Sequence, residues 1–446
     1  MSAVRPMPPP HTAIFAERVK LMGTEAAFGF GSRIVEVEQS DNARVIRCNL
    51  GQPDFPLPDH IARAVIKAIE DGQTTYCDPQ GMPELRAALA RKIAADRGLE
   101  EIDPERVAVF PGARPSIGFA QQTYCEQGDE IIYPTPGYPL YESYIPYVGA
   151  RRVPIHLRED HGFSLTVDDL EPLITDRTRL IYLNFPSNPT GGVATREQLQ
   201  ALAELILEKT RPNVRVYSDE AYEAITFDGE DHVSIASLPG MADRTIIASA
   251  VSKTYAWTGG RVGWAVYPSV AEAKVARNLN INYFASIPPY NQIGTIEALE
   301  SSESDAAIQM MVDAFQRRRD QVVAGLNEID GVHCQLPKGA FYAFPNVEGA
   351  LGRLGAIEAF ERLPAEVRSD SSPATLFQLF LLHKYHVATM DRRSFCAKDS
   401  EGQHFLRISV ATGSKDLAEA VTRIDEASRD EAGFHAFVKS GVQLTL

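Results

Sequence analysis

The sequence predicts an α/β protein with a large domain, built on a mainly parallel sheet covered by helices, and a smaller α+β domain. Three observations lead there. The chain has 446 residues, 44% hydrophobic and 23% charged, an ordinary globular balance and too long for one small core. The runs RVAVF (106–110), EIIYP (130–134), RLIYLN (179–184), VRVYSD (214–219) and TIIASA (245–250) are short, rich in β-branched residues and bounded by Gly, Pro or Asn. Such near-continuous hydrophobicity fits strands buried on both faces of a parallel sheet. Helical stretches such as REQLQALAELILEK (196–209) lie between these runs at the spacing of crossovers.

Taken in order, the Pro-rich start, Pro6 to Pro10, builds neither helix nor central strand and reads as an extended arm. Residues 1–48 are expected to supply this arm and part of the small domain, 49–302 the large domain, and 303–446 the small domain. Beyond Ser302 a long amphipathic helix, AAIQMMVDAFQRRRDQVVAGLNEI (306–329), leads into a charged, loop-rich stretch around 347–373. HFLRISVA (404–411) reads as the last strand, before a final helix.

Composition excludes several classes. A formal net charge of −15 repels phosphate backbones, so no nucleic-acid partner is expected. The five cysteines are scattered, with no CxxC or Cys/His cluster, as in reduced thiols of a cytoplasmic protein without a metal site. Met1–Phe15 lacks the apolar run of a signal peptide, and no stretch approaches the roughly 18 apolar residues of a membrane span. Gly29–Ile34 has superficial GxGxxG-type spacing, but no strand precedes it. His383 and His386, three apart on an expected helix, read as packing or surface residues, and Arg317-Arg318-Arg319 as one solvated helix face.

Ligands of an open α/β sheet bind beyond the carboxyl ends of its strands, and here those ends gather unusual residues. After 106–110 come Pro111-Gly112-Ala113-Arg114 and a helix, whose first N–H groups suit a phosphate. Tyr138 follows 130–134. Asn184-Phe185-Pro186-Ser187-Asn188-Pro189 makes a rigid loop with an amide at its tip. Asp219 and Tyr222 end the fourth run; the carboxylate there caps a helix or pairs with a ring nitrogen. Ser252-Lys253-Thr254 follows the fifth, ahead of Thr258-Gly259-Gly260-Arg261, and a lysine near buried strand ends is costly unless used.

With NLGQPDFP, YCDPQGMPELR, FPGARPSI, PTPGYPLY, NFPSNPTGG, YSDEAYE, SKTYAWTGGRVG and LRIS in this order, the chain resembles the class I/II aminotransferases of pyridoxal-phosphate (PLP) fold type I. The similarity is greatest to the prokaryotic aspartate-aminotransferase-like branch. The resemblance implies that Lys253 forms a Schiff base with the cofactor aldehyde, then moves a proton between Cα and the cofactor carbon. It implies that Asp219 pairs with the pyridinium nitrogen, that Asn188 and Tyr222 bond the phenolic oxygen and lower the Schiff-base pKa, and that Tyr138 stacks on the ring. The Gly112 and Ala113 backbone with Arg261 would bind the phosphate, Arg114 and Ser252 would also contact the cofactor, and Tyr76 would reach the phosphate from a second subunit of a homodimer. Arg407 would take the substrate α-carboxylate as a bidentate fork, with Asn188 and Gly51 beside it.

The implied reaction is ping-pong transfer of an amino group from an L-amino acid to a 2-oxo acid. A β-lyase, decarboxylase or oxidase would use the same residues, and a PLP-binding sensor without turnover is a further reading. The chain departs from the family pattern at Ala250 (often Ser), Trp257 (often Met), Gly260 (often bulky), Arg114-Pro115 and Val410. A second cation for a dicarboxylate substrate is sought among Arg33, Arg114, Lys338 and Arg392, and an apolar pocket lining among Phe28, Phe30 and Tyr138.

Overall fold

The computed structural model describes residues 14–23 and 26–445, with side chains omitted at 26–28. The Pro6–Pro10 arm and the Phe28 side chain therefore lie outside the described residues. Among the described residues, twelve strands run in chain order as β1 (Ile46–Arg47), β2 (Val107–Phe110), β3 (Glu130–Thr135), β4 (Arg151–His156), β5 (Thr178–Asn184), β6 (Arg215–Asp219), β7 (Thr245–Ala250), β8 (Gly263–Val266), β9 (Tyr342–Ala343), β10 (Val387–Ala388), β11 (Met390–Asp391) and β12 (Leu406–Ser409).

Seven of them form the central sheet, ordered β2-β8-β7-β6-β5-β3-β4. The pairs β3–β4, β3–β5, β5–β6 and β6–β7 are parallel, and only β8 runs against its neighbours. All the expected strands form. Every residue of β2, β7 and β8 is buried, because helices cover both faces. The helix Arg196–Lys209 begins where Thr195 and Gln198 cap each other reciprocally, Thr195 Oγ1 accepting from the Gln198 N–H at 3.2 Å.

Two strands of the central sheet lie outside the expectation. β4 is an edge strand whose sequence, RRVPIH, is too polar and too exposed to look like a buried run. β8 is four residues long and follows a glycine-rich turn. Yet β8 positions the site: Gly263 is paired with both Phe110 and Ala250, so the turn before β8 is drawn to the carboxyl ends of β2 and β7 together.

A three-stranded antiparallel sheet, β11-β12-β9, belongs to the smaller lobe. There β1 pairs in parallel with β10, and the helix Ala26–Ser40 packs on the helix Pro373–Tyr385, so the two ends of the chain share one layer. The Gly29–Ile34 segment is part of that first helix. The long helix spans Ser302–Asn327, started by Ser301. The 347–373 stretch is more regular than expected, containing the short helices Glu348–Arg353, Ala356–Glu361 and Ala365–Ser369; each is too short for a clear periodicity.

The Arg317–Arg319 expectation is also corrected. Arg317 is exposed, but Arg319 is 2% exposed, bonded to Asp228 at 2.7 and 3.0 Å and to the Pro337 carbonyl, with Phe227 beneath it. Arg318 clamps Asp54 with two hydrogen bonds. Arg319 also pairs with its neighbour Asp320 at 2.6 Å, but Asp228 and Asp54 come from distant loops, which charge along the helix could not reveal. His383 lies in the helix Pro373–Tyr385, whereas His386 terminates it in the left-handed conformation and reaches Asp41 at 3.0 Å. Among the described residues, no group of three or more potential ligands could hold a metal ion, and no helix is long and apolar enough to cross a membrane.

The Arg319 pair offers a test of the inter-lobe packing. Asp228→Asn keeps the side-chain shape and suits the left-handed backbone there (φ 58°), but withdraws the charge facing a buried guanidinium. Arg319 keeps Asp320 as a second partner, so we expect a loss of about 1 kcal/mol, read as a lowered urea midpoint. An unchanged midpoint would contradict the role given to this pair.

Candidate active site

The carboxyl ends of β2, β5, β6 and β7 surround one cavity of about 510 Å³. It is lined by eleven of the residues expected from sequence: Gly51, Ala113, Arg114, Tyr138, Asn188, Asp219, Tyr222, Ser252, Lys253, Arg261 and Arg407. Gly112 lies just outside the lining, and Tyr76 is 87% exposed and does not face the cavity of its own chain.

Lys253 sits on the single helical turn Val251–Thr254 that follows β7. Its Nζ donates to the Gly51 carbonyl and lies 5.9 Å from the ring centres of Tyr222 and Phe341. Asp219, the last residue of β6, is buried; Tyr141 donates to its Oδ2 at 2.7 Å and the Ala221 N–H to its Oδ1 at 3.2 Å. Burial dominates over these two bonds and pushes the carboxyl up to about 6. Tyr141 is itself held by stacking on Tyr182, ring centres 4.8 Å apart. Behind Asp219, on the other face of the strand, Glu220 is fully buried against Arg97 Nε at 2.9 Å and Ser218 Oγ at 2.9 Å. Burial opposes the Glu220 charge, but His232 and Arg97 outweigh it and hold this carboxyl below the usual range.

At the other end of the cavity, Arg407 projects from β12. Its Nη1 donates to Asn188 Oδ1 at 2.9 Å, its Nη2 to the Asn49 carbonyl, and its buried Nε has no hydrogen-bond partner. The guanidinium lies between the Tyr342 and Phe395 rings, 4.5 and 4.6 Å from their centres. Asn188 is fixed by its own N–H, which donates to Asn184 Oδ1 at 2.9 Å.

The third corner is cationic. Arg261 has φ 50° and donates to the carbonyls of Thr258 and Pro111 at 2.8 and 3.1 Å. Burial and the neighbouring Arg114 lower its pKa. Gly112 has φ 81°, and a Cβ there would lie 2.1 Å from Arg261 Nη2. Glycine thus meets both the backbone and the space requirement. Arg114 opens the helix Arg114–Tyr124 and lies 5.7 Å from the centre of the Tyr138 ring.

A lysine amine, a buried carboxylate, a phenol, an amide and two separated cationic regions thus face one space. The sequence profile described as Aminotransferase class I and II matches residues 43–424. The chain belongs to this family.

An aspartate aminotransferase of Rhizobium meliloti (strain 1021) is 34% identical over 416 residues, spanning 92% of this chain and 95% of its own. A probable aspartate/prephenate aminotransferase of Aquifex aeolicus is 33% identical over 384 residues, with 86% and 91% covered. The crystal structure of the aspartate aminotransferase from Rhizobium meliloti aligns with a TM-score of 0.82 at 32% identity, over 93% of this chain and 98% of that one. The aromatic aminotransferase from Pyrococcus horikoshii aligns at 0.77 and 31%, over 90% and 99%. The protein is a transaminase with the fold type I architecture.

In this aminotransferase two of the departures from the family pattern are one event. A Cβ on Gly260 would lie 2.3 Å from Trp257 Cε2, so the Trp257 indole occupies the space that a bulky residue 260 would need. Pro115 is tolerated because it falls in the first turn of its helix. Ala250 lines the cavity with a methyl group, and the hydroxyl residues Ser252 and Thr258 line it as well.

Of the four cations considered for a distal carboxylate, Arg114 alone lines the cavity. Arg33 donates to the Thr445 carbonyl, Lys338 faces Asp228 and Glu230, and Arg392 is buried among Gln403, Thr135 and the carbonyls of Phe395 and Cys396. Phe30 belongs to the hydrophobic core, not to the pocket wall. Sequence reasoning also missed Tyr141, Asn184 and Tyr342, which line the cavity. The first two stand in motifs already singled out; Tyr342 lies in KGAFYAF, which carries no chemical signal of its own.

The raised Asp219 pKa makes a pH-dependent expectation for ligand-free protein. Between about pH 4 and 6 the folded state keeps a proton that the unfolded chain releases, so stability falls as pH rises through this window. The Asp219→Asn variant escapes the penalty. It should be more stable than wild type at pH 8 by about 1–3 kcal/mol and nearly equal at pH 4. Denaturation midpoints that differ equally at both pH values would refute the assignment.

Proposed function

We propose that the cavity holds pyridoxal 5′-phosphate through Lys253 and transfers the amino group of an L-amino acid to a 2-oxo acid by a ping-pong mechanism. The observation that supports this best is the triangle of Lys253, the high-pKa Asp219 carboxylate and the Arg407 guanidinium around one cavity. The donor set fits the cofactor. Asp219 is a buried acceptor suited to a protonated ring nitrogen, Arg261 with the Gly112–Ala113 turn forms a cationic, N–H-rich corner for a phosphate, and Ser252 and Arg114 stand beside it. The Arg407 Nε, buried without a partner, suits a carboxylate.

The bound group supplies an aldehyde for Lys253 and a ring that takes up the electron pair left when Cα loses its proton. Lys253 Nζ acts as the base and acid at Cα. Asp219 keeps the ring nitrogen protonated, since a buried carboxylate with a raised pKa shares a proton strongly. Arg407 orients the α-carboxylate, and because Asn188 Oδ1 accepts from Arg407, the Asn188 NH₂ remains to donate into the cavity. Tyr222 offers its hydroxyl to the cofactor's phenolic oxygen, Tyr138 covers the ring face, and Gly51 keeps space for the substrate. Donor and acceptor occupy the same cavity in turn.

The exposure of Tyr76 supports a homodimer in which this side chain reaches the partner's phosphate site. The parallel β1–β10 pair supports assigning 1–48 and 303–446 to the small domain and 49–302 to the large one. Five free cysteines, four of them buried, support a cytoplasmic setting.

Borohydride reduction of the purified protein and peptide mapping should label Lys253, and Lys253→Ala should lose catalysis while still binding cofactor noncovalently. Label on a different lysine would sink the reading. A single-turnover screen of individual amino acids, aspartate first, should identify those that yield 2-oxo acid stoichiometrically. For the dimer, Lys253→Ala and Tyr76→Ala subunits, each inactive alone, are mixed. Donation of Tyr76 across the interface returns roughly a quarter of wild-type activity by symmetry counting. Verified hybrid dimers without activity would rule it out.

A further inference from the structure

Tyr342 has no part in the mechanism above, yet it touches three of the groups that do. It lies on β9, is 2% exposed, and its hydroxyl is 2.7 Å from the Tyr222 hydroxyl. Its ring lies 4.5 Å from the Arg407 guanidinium carbon. Its hydroxyl also stands where residue 51 has no side chain, since a Cβ on Gly51 would lie 1.8 Å from it. Tyr222 follows β6 of the central sheet and Tyr342 belongs to the three-stranded sheet, so the hydroxyl pair joins the two lobes inside the cavity wall.

A phenol has one proton to donate. If Tyr222 donates to Tyr342, its proton is turned away from the cavity. If Tyr342 donates to Tyr222, the Tyr222 proton is left to point into the cavity, and a hydroxyl that accepts one hydrogen bond donates the next more strongly. The Arg407 cation on the Tyr342 ring decides between the two: it draws electron density from the ring and makes Tyr342 the better donor.

We propose that Tyr342 is a positioning residue that donates to Tyr222, thereby aiming and strengthening the Tyr222 O–H toward the cavity, with the Arg407 cation setting this direction. The proposal rests on the reading in which Tyr222 bonds the cofactor's phenolic oxygen. It implies a link between the two ends of the site. A substrate carboxylate that neutralises Arg407 weakens the bias on Tyr342, and with it the hydrogen bond that Tyr222 makes.

The test is the pH midpoint of the visible absorbance of substrate-free holoenzyme, in wild type, Tyr342→Phe, Tyr222→Phe and the double variant. Removing a donor from the phenolic oxygen raises this midpoint. Tyr342→Phe should therefore raise it by roughly 0.3 to 0.5 unit, the size of a cooperative contribution. Tyr222→Phe should raise it by about one unit or more, and the double variant should match Tyr222→Phe alone. A lowered midpoint in Tyr342→Phe would mean that Tyr342 is the acceptor, and would overturn the proposal. So would an unchanged midpoint, or a shift that persists in full when Tyr222 is already Phe.

Both variants keep the ring beneath Arg407. Succinate binding to cofactor-free Tyr342→Phe, measured by calorimetry, should stay within about threefold of wild type, less than one lost hydrogen bond. A loss of tenfold or more would show a displaced Arg407, a structural role in place of the proposed one. A holoenzyme whose absorbance ignores Tyr342 defeats this proposal alone; a protein with no chromophore on Lys253 defeats the parent reading and this proposal together.

Discussion

Keeping the Asp219 carboxylate out of water is the constraint around which the site is built. A carboxylate in such a place is expensive, and the surrounding residues are those that make it tolerable without neutralising it by a fixed cation. Tyr141 and the Ala221 N–H each give one hydrogen bond, too little to bring the carboxyl back to its usual acidity. The cations nearby are committed elsewhere. Arg97 serves Glu220 on the opposite face of β6, and Arg407 lies at the other end of the cavity, held by Asn188 and Asn49. The result is a buried carboxyl of raised pKa that no cation among the described residues pairs with.

The same separation of charge organises the Arg407 end of the cavity. Arg407 is gripped by backbone and amide oxygens and sandwiched between two aromatic rings, so its cation is oriented but, among the described residues, not paired with a carboxylate. Arg392, equally buried, has its donors taken up by Gln403, Thr135 and two backbone carbonyls. The two arginines differ less in burial than in what is left for a ligand. Arg407 retains an unpartnered Nε, whereas Arg392 is one of the struts that hold the loop after β11.

Much of this was legible in the sequence because an α/β sheet places its chemistry in a predictable position, just after each buried apolar run. Lys253, Asp219, Asn188 and Ala113 were found in that way, and their side chains or turns do converge on one cavity. Contributions that depend on a long-range neighbour were not legible. Tyr342 reads as core, and matters only because Arg407 on the neighbouring strand β12 and Tyr222 from the central sheet arrive beside it. Arg319 reads as solvated, and is buried only because Asp228 comes from a distant loop. β8 was invisible for another reason: its burial comes from being wedged between β2 and β7, not from a long apolar run of its own.

The pairing of β1 with β10 bears on how the protein is made. The central sheet is complete once Val266 has been synthesised, and its strands can begin to associate while the chain is still growing. Ile46, by contrast, has no strand partner until Val387 emerges, and the helix Ala26–Ser40 must wait for the segment Pro373–Tyr385. For most of its time on the ribosome the nascent chain therefore carries an orphan N-terminal piece. Its apolar residues, Ile34, Val37, Val45 and Ile46, find their final burial only as the last third arrives. Such a contact of high sequence separation is slow to close and exposed while open. The early residues of this enzyme are thus among the last to find their packing partners.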